Sequence, residues 1–310
     1  MKNILFAKKK RMWYDNKNKK ETKKMEIVIG KTSGFCFGVK NAVSKTIQEL
    51  ETTPNLYCLG ELIHNKEVTD KLEQKGLTIV NTIEEVPEGA SCVIRAHGIT
   101  KQEYEVAKEK KISVIDLTCP KVLLIHQKIE QYAKKGYTIL LYGKKEHPET
   151  KGNASFGGEN CYVLEKKEDV DQAVKQIQEK GSKKIAILSQ TTFGVEEFHT
   201  FTNEIQTQMP DSEILVENTI CNSTKLRQKE AEEIAKTVDT MLVIGGKHSS
   251  NTKELYEVAK KQNTNTIHIE TAEELKDKVF PKEKIGIIAG ASTPQSAINK
   301  VVEWLQNRTE

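Results

Sequence analysis

The chain has 310 residues, 48 Lys or Arg against 44 Asp or Glu, and a mean hydropathy of −0.55, enough for two or three domains at roughly 150 residues each. No apolar run reaches the roughly 18 residues a membrane-spanning helix requires. A composition of 37% hydrophobic and 30% charged residues, with 18 Gly and 7 Pro, excludes collagen-like, low-complexity and wholly disordered classes.

Residues 1–24 carry ten Lys or Arg against Asp15 and Glu21, so the arm holds a surplus of +8 and the body a net −4. The arm lacks apolar periodicity and reads as a disordered tail, with Met25 opening the first ordered strand and a misassigned start codon as the plain explanation. Ile4 to Ala7 is too short for a secretory apolar segment. A cytoplasmic protein is therefore expected, with no membrane and no nucleic acid as partner.

Beyond the arm, short β-branched runs alternate with helical patterns, which predicts an α/β fold of parallel sheets joined by crossover helices. Strands are expected near Ile27, Leu56, Thr78 and Cys92, then near Val114, Thr138, Tyr162 and Ile185, then near Ile214, Met241, Ile267 and Ile285. These form three blocks of four, and three similar modules is the simplest reading. Approximate boundaries are 25–120, 121–217 and 218–310.

Each opening strand runs into one cysteine, Cys36, Cys119 or Cys221, and a helical pattern follows directly. Thiols at helix N-termini are expected to have a lowered pKa and to favour the metal-binding thiolate. Cys58, Cys92 and Cys161 lie inside strand patterns and read as small buried apolar residues. No Cys-x-x-Cys pair occurs, which disfavours a disulfide framework or zinc ribbon. Three separated thiols suit either zinc or an iron-sulfur cluster with an open metal position.

Polar residues also gather where the second and fourth strands of each block end. They are His64 and Asn65, His97, His147 with Glu149, Thr191, Ser249-Ser250-Asn251 and Ser292. Ligand sites in parallel α/β sheets lie beyond the carboxyl ends of the strands, so these loops are expected to share one cavity. Histidines and hydroxyls beside helix N-termini suit a phosphate-bearing ligand. The P-loop and dinucleotide fingerprints are both absent. Glu149 is the candidate general acid, with a solvated loop glutamate as the alternative, and Ser292 to Pro294 also fits a simple helix cap. His126, His199 and His268 read as structural.

The motifs Gly34-Phe-Cys36-Phe-Gly-Val-Lys, Gly60-Glu-Leu-Ile-His64-Asn65, Arg95-Ala-His97-Gly98, Asp116-Leu-Thr-Cys119-Pro, Glu146-His147-Pro-Glu149, Ser189-Gln-Thr191-Thr192, Asn218-Thr-Ile-Cys221-Asn and Ser249-Ser-Asn251 closely resemble those of the 4-hydroxy-3-methylbut-2-enyl diphosphate reductase family. The resemblance covers about residues 25–305. It implies a pseudo-threefold trefoil of three modules, with the strand near Ile27 able to pack with the third. It also implies one 4Fe-4S cluster held by Cys36, Cys119 and Cys221 with an open iron. His64, His97, His147, Ser249, Ser250, Asn251 and Ser292 would grip the substrate diphosphate. Glu149 would deliver protons through Thr191, and a ferredoxin or flavodoxin would supply electrons in this last step of the methylerythritol phosphate pathway. His248 and the basic arm have no place in that pattern. A zinc-dependent phosphate-ester hydrolase is the alternative, and an RNA-binding or iron-sensing protein using the arm is a third reading.

Overall fold

A computed structural model describes residues 25–276, 278 and 284–307. The basic arm at 1–24 lies outside the described residues. In chain order, β1 (Glu26–Ile29) leads to α1 (Phe37–Thr52), β2 (Tyr57–Leu59), α2 (Lys66–Gln74), β3 (Thr78–Val80), β4 (Ser91–Ile94) and α3 (Lys101–Glu109). Next come β5 (Ser113–Asp116), α4 (Pro120–Lys134), β6 (Thr138–Tyr142), α5 (Pro148–Ser155), β7 (Cys161–Leu164), α6 (Lys167–Glu179), β8 (Lys184–Ser189) and α7 (Val195–Gln208). The chain continues through β9 (Glu213–Val216), α8 (Asn222–Ala235), β10 (Thr240–Ile244), α9 (Ser250–Gln262), β11 (Thr266–Ile269), β12 (Lys284–Ala289) and α10 (Gln295–Asn307).

Twelve strands form three four-stranded parallel sheets of one design, with orders β3-β2-β4-β5, β7-β6-β8-β9 and β11-β10-β12-β1. The α/β reading with three similar modules holds. The grouping of four strands starting at each cysteine-leading strand does not: β5 and β9 pair into the sheet before them, and β1 pairs with β12 of the third sheet, with Ile27 opposite Ile285, as the family resemblance allowed. Local patterns identify a strand, but its partner is set by which long-range pairing lets both faces of a sheet be covered.

Both faces are indeed covered. The central strands Thr138-Ile-Leu-Leu-Tyr142 and Thr240-Met-Leu-Val-Ile244 are buried at every position, the near-continuous apolar run expected of a strand with helices on both sides. On one side of the second sheet Leu140, Tyr142 and Ile187 pack against Val170, Ile177, Phe198 and Ile205 of α6 and α7. On the other Ile139, Leu141, Ala186 and Leu188 meet Ile125 and Ile129 of α4. At about 1.5–3 kcal/mol per fully buried large aliphatic side chain, each module carries its own core. Edge strands β1, β5 and β9 are half exposed, and each hands the chain directly to a cysteine.

Candidate active site

The three cysteines are the residues just before α1, α4 and α8, at the N-cap of each helix. Pro120 begins α4, where its missing N–H costs nothing. The central strands supply the remaining groups. His64 and His97 follow β2 and β4; His147 and Thr191 follow β6 and β8; Ser249 and Ser292 follow β10 and β12. Edge strands thus bring thiols and central strands bring polar side chains, three times over, to the carboxyl ends of the sheets.

All twelve candidates converge on one cavity: Cys36, Cys119 and Cys221, His64, His97 and His147, Glu149 and Thr191, Ser249, Ser250 and Asn251, and Ser292. Two glycines permit the approach. A methyl group on Gly38 would sit 2.9 Å from Cys119 Sγ, and one on Gly246 would sit 2.9 Å from the His64 carbonyl oxygen. Ser292 Oγ donates to that same carbonyl at 3.1 Å, pinning the third module to the first.

Glu149 is only 2% exposed, so the solvated-loop alternative falls. Its Oε1 accepts from the Thr191 N–H at 2.6 Å, and its Oε2 lies 2.6 Å from Thr191 Oγ1. Burial pushes the carboxyl up to about 7, against the Thr191 contacts, which favour the ionised form. Asn153, one turn on along α5, also favours ionisation, although its buried amide falls short of a hydrogen bond. Near neutrality the proton is therefore shared between two well-populated states. In the acid form Oε2 donates to Thr191 Oγ1, freeing the threonine hydroxyl to donate onward, a two-atom relay.

The imidazoles of His64, His97 and His147 stand with ring centroids 4.4, 5.3 and 5.4 Å apart. Burial drives His97 well below the usual imidazole range, with His64, His147 and Arg95 adding repulsion. It takes His147 down to about 3. His147 Nδ1 accepts from the Glu149 N–H at 3.1 Å, which leaves its Nε2 as the free ring atom. His64 Nε2 and His97 Nδ1 are buried without a partner, an arrangement that calls for a ligand. An anion beside His97 and His147 would favour their protonated forms, against the burial that keeps them neutral.

Six cysteines are free. The expected lowering of the thiols at helix N-termini is not what Cys119 shows: burial raises it, with Cys36 and Cys221 adding to the rise. Burial outweighs the backbone amides at the start of α4, which favour the thiolate. Burial also pushes Cys58, Cys92 and Cys161 up to about 12, 11 and 12, as inert packing residues in β2, β4 and β7 require. Among the described residues, the His64-His97-His147 trio is the one group of three ligating side chains with all ligand atoms within 4.8 Å of one another. The three thiols are not drawn together that tightly.

Other residues were missed. Lys121, Thr192, Ser223 and Ala291 line the cavity as neighbours of named positions. Arg227 is buried behind the cysteines, with no local signal beyond its helical spacing. His126 remains structural, stacked on Phe156 with centroids 4.2 Å apart and filling the space beneath Gly98.

A family model described as LytB protein matches residues 27–306. The 4-hydroxy-3-methylbut-2-enyl diphosphate reductase of Clostridioides difficile is 40% identical over 285 residues, 91% of this chain and all of that protein. The enzyme of the same name from Aquifex aeolicus is 39% identical over 92% of this chain and 98% of its own. A solved (E)-4-hydroxy-3-methyl-but-2-enyl diphosphate reductase, described as the terminal enzyme of the non-mevalonate pathway, is 38% identical with a TM-score of 0.66, covering 91% of this chain and 99% of that one. The Plasmodium falciparum E-1-hydroxy-2-methyl-but-2-enyl-4-diphosphate reductase is 29% identical with a TM-score of 0.84, covering 90% and 87%.

Proposed function

The chain belongs to the LytB protein family and acts as a 4-hydroxy-3-methylbut-2-enyl diphosphate reductase, and from that premise we propose how its cavity divides the work. Two electrons and two protons remove the allylic hydroxyl as water, leaving isopentenyl and dimethylallyl diphosphates. The observation that carries this division is the buried Glu149–Thr191 pair in the same cavity as three free thiols and three imidazoles.

Cys36, Cys119 and Cys221 would hold one 4Fe-4S cluster, which when bound supplies electrons and a Lewis-acidic open iron. The donor set supports this: three thiols, one from the start of each of three helices. His64, His97, His147, Ser249, Ser250, Asn251 and Ser292 hold the diphosphate with ring N–H, hydroxyl and amide donors. Fixing both phosphates orients the hydroxyl end toward the thiols and converts binding energy into alignment. Glu149 holds the proton for the leaving hydroxyl and passes it through Thr191 Oγ1.

The electron donor is a small acidic carrier, a ferredoxin or flavodoxin. Among the described residues the exposed large apolar side chains are Ile29, Val114 and Val216 on β1, β5 and β9, and Phe37, Leu124 and Leu226 on α1, α4 and α8. All six flank the cysteines. None of the three helices has an acidic residue in its first turn, and Lys40, Lys121 and Lys225 lie near their starts, a charge balance suited to an acidic partner. Leu226→Glu is expected to slow turnover with the protein donor by about fivefold or more while leaving the rate with a small chemical reductant unchanged. Equal loss with both reductants would remove this surface. Such an enzyme suits a reducing cytoplasm, and no helix of the described residues is long and apolar enough to cross a membrane.

The imidazole trio favours a second reading, a three-histidine zinc centre of hydrolytic type. Metal analysis of protein purified without oxygen separates the two. About four irons per chain with matching acid-labile sulfide is the expected result; stoichiometric zinc without sulfide would overturn the cluster.

A further inference from the structure

The loop between β1 and α1, which delivers Cys36, is gripped from both sides by two residues of α8, the helix that starts at Cys221. Glu230 takes its donors: the Lys31 N–H reaches Oε1 at 2.6 Å, and the Thr32 N–H and hydroxyl reach Oε2 at 2.8 and 2.5 Å. Arg227, one turn earlier, takes its acceptors. Nε and Nη2 donate to the Thr32 carbonyl at 2.9 and 2.6 Å, and Nη2 also donates to the Gly34 carbonyl at 2.9 Å. Nη1 reaches Asn251 Oδ1 at 3.5 Å, and that oxygen accepts the Ala291 N–H at 2.8 Å. The Cys36 N–H in turn donates to the Ala291 carbonyl at 3.1 Å. The network closes on itself around one cysteine.

Arg227 is 3% exposed and is the one Lys or Arg side chain buried among the described residues. Its hydrogen bonds go to neutral oxygens, so its charge is not cancelled by them. Burying a cation in this way costs several kcal/mol unless some negative charge offsets it. Arg227 stands on the helix that Cys221 caps, and its Nη2 holds the Gly34 carbonyl two residues before Cys36, which sets the cation near both thiols, with the Glu230 carboxylate as a further negative charge on the same helix. Lysine could not do the same, because a single ammonium lacks the planar fork that meets two carbonyls and an amide together.

We propose that Arg227 and Glu230 are positioning residues that clamp the Cys36 loop to α8, setting Cys36 and Cys221 as one rigid unit, with Arg227 the buried counter-cation of the thiolate site. The counter-charge half rests on the cluster reading; the clamp half does not. A nearby cation eases the addition of an electron, so its removal makes reduction harder.

The test is hydrogen exchange of residues 31–36 together with the cluster midpoint potential, read on the anaerobically purified full chain. Arg227→Gln is expected to speed loop exchange by about tenfold or more, the factor matching ~1.4 kcal/mol of lost charge-assisted bonding, and to shift the potential negative. Arg227→Lys keeps the charge and is expected to restore the potential but not the loop protection. Glu230→Gln is expected to loosen the loop with no negative shift, a sign opposite to what general disruption of the site would produce. Wild-type exchange in both Arg227→Gln and Glu230→Gln would overturn the clamp, and an unmoved potential in Arg227→Gln would overturn the counter-charge. If Arg227→Gln does not fold, the Lys and Glu230 variants decide both halves. If the wild-type chain binds no iron, the cluster reading falls while exchange still judges the clamp.

Discussion

Replacing Glu149 by Gln is expected to lower kcat by about 10²- to 10⁴-fold, the range that a positioned proton donor contributes. The substitution preserves shape and leaves a carbonyl oxygen to accept the Thr191 N–H, so the fold and iron content should match the wild type. What disappears is the transferable proton. Steady-state kinetics beside circular dichroism and iron analysis make the check, and wild-type turnover in a loaded Glu149→Gln would remove the relay.

The same residue sets the pH dependence. Burial holds its acid form up to about 7, so donor activity is present below that value and is lost as pH rises through it, by about tenfold per unit well above it. A pH–rate profile of the wild type should fall above about 7, and in Glu149→Gln that limb should be absent from the residual rate.

Cys119→Ser is expected to cut activity by at least about 100-fold, beyond the loss typical of an outer partner to a metal ligand, and to lower iron per chain in parallel. Each module supplies one thiol, so no neighbouring cysteine is placed to substitute: Cys92 and Cys58 lie in the first sheet's interior, and Cys161 packs against Gly157. Cys161→Ala serves as the control, with iron and turnover both near wild type. A loaded, active Cys119→Ser would show that the cluster is held elsewhere.

Why these positions could be read from the chain is a matter of locality. A β-branched run, a cysteine and an amphipathic helix are local signals, and they recur at 36, 119 and 221. Pairing is not local: nothing near Ile27 says that its neighbour is Ile285 rather than a strand of its own block. Electrostatics escaped for the same reason. The helix dipole at Cys119 is a sequence-level inference, whereas the burial that overrules it exists only after three modules meet. Glu149 was legible as a carboxylate in a loop but not as a nearly inaccessible one. Arg227 was invisible because arginine in a helix is ordinarily on the surface, and only the assembled loop of residues 31–36 gives it a reason to be inside.

The pairing of β1 with β12 has a consequence for how the protein is made. Residues 26–29 leave the ribosome well before their partners at 284–287, which follow on the order of ten to fifty seconds later at ordinary translation rates of ~5–20 residues per second. Through that interval the nascent strand has no sheet to join, and the loop carrying Cys36 has no grip until residues 227 and 230 have emerged. The middle sheet closes within its own stretch of chain, whereas the sheet that seats the first cysteine waits for the end. The site that gathers the three thiols can therefore close only after residues 284–289 have emerged, and synthesis stalled before them would leave two completed modules and an open third.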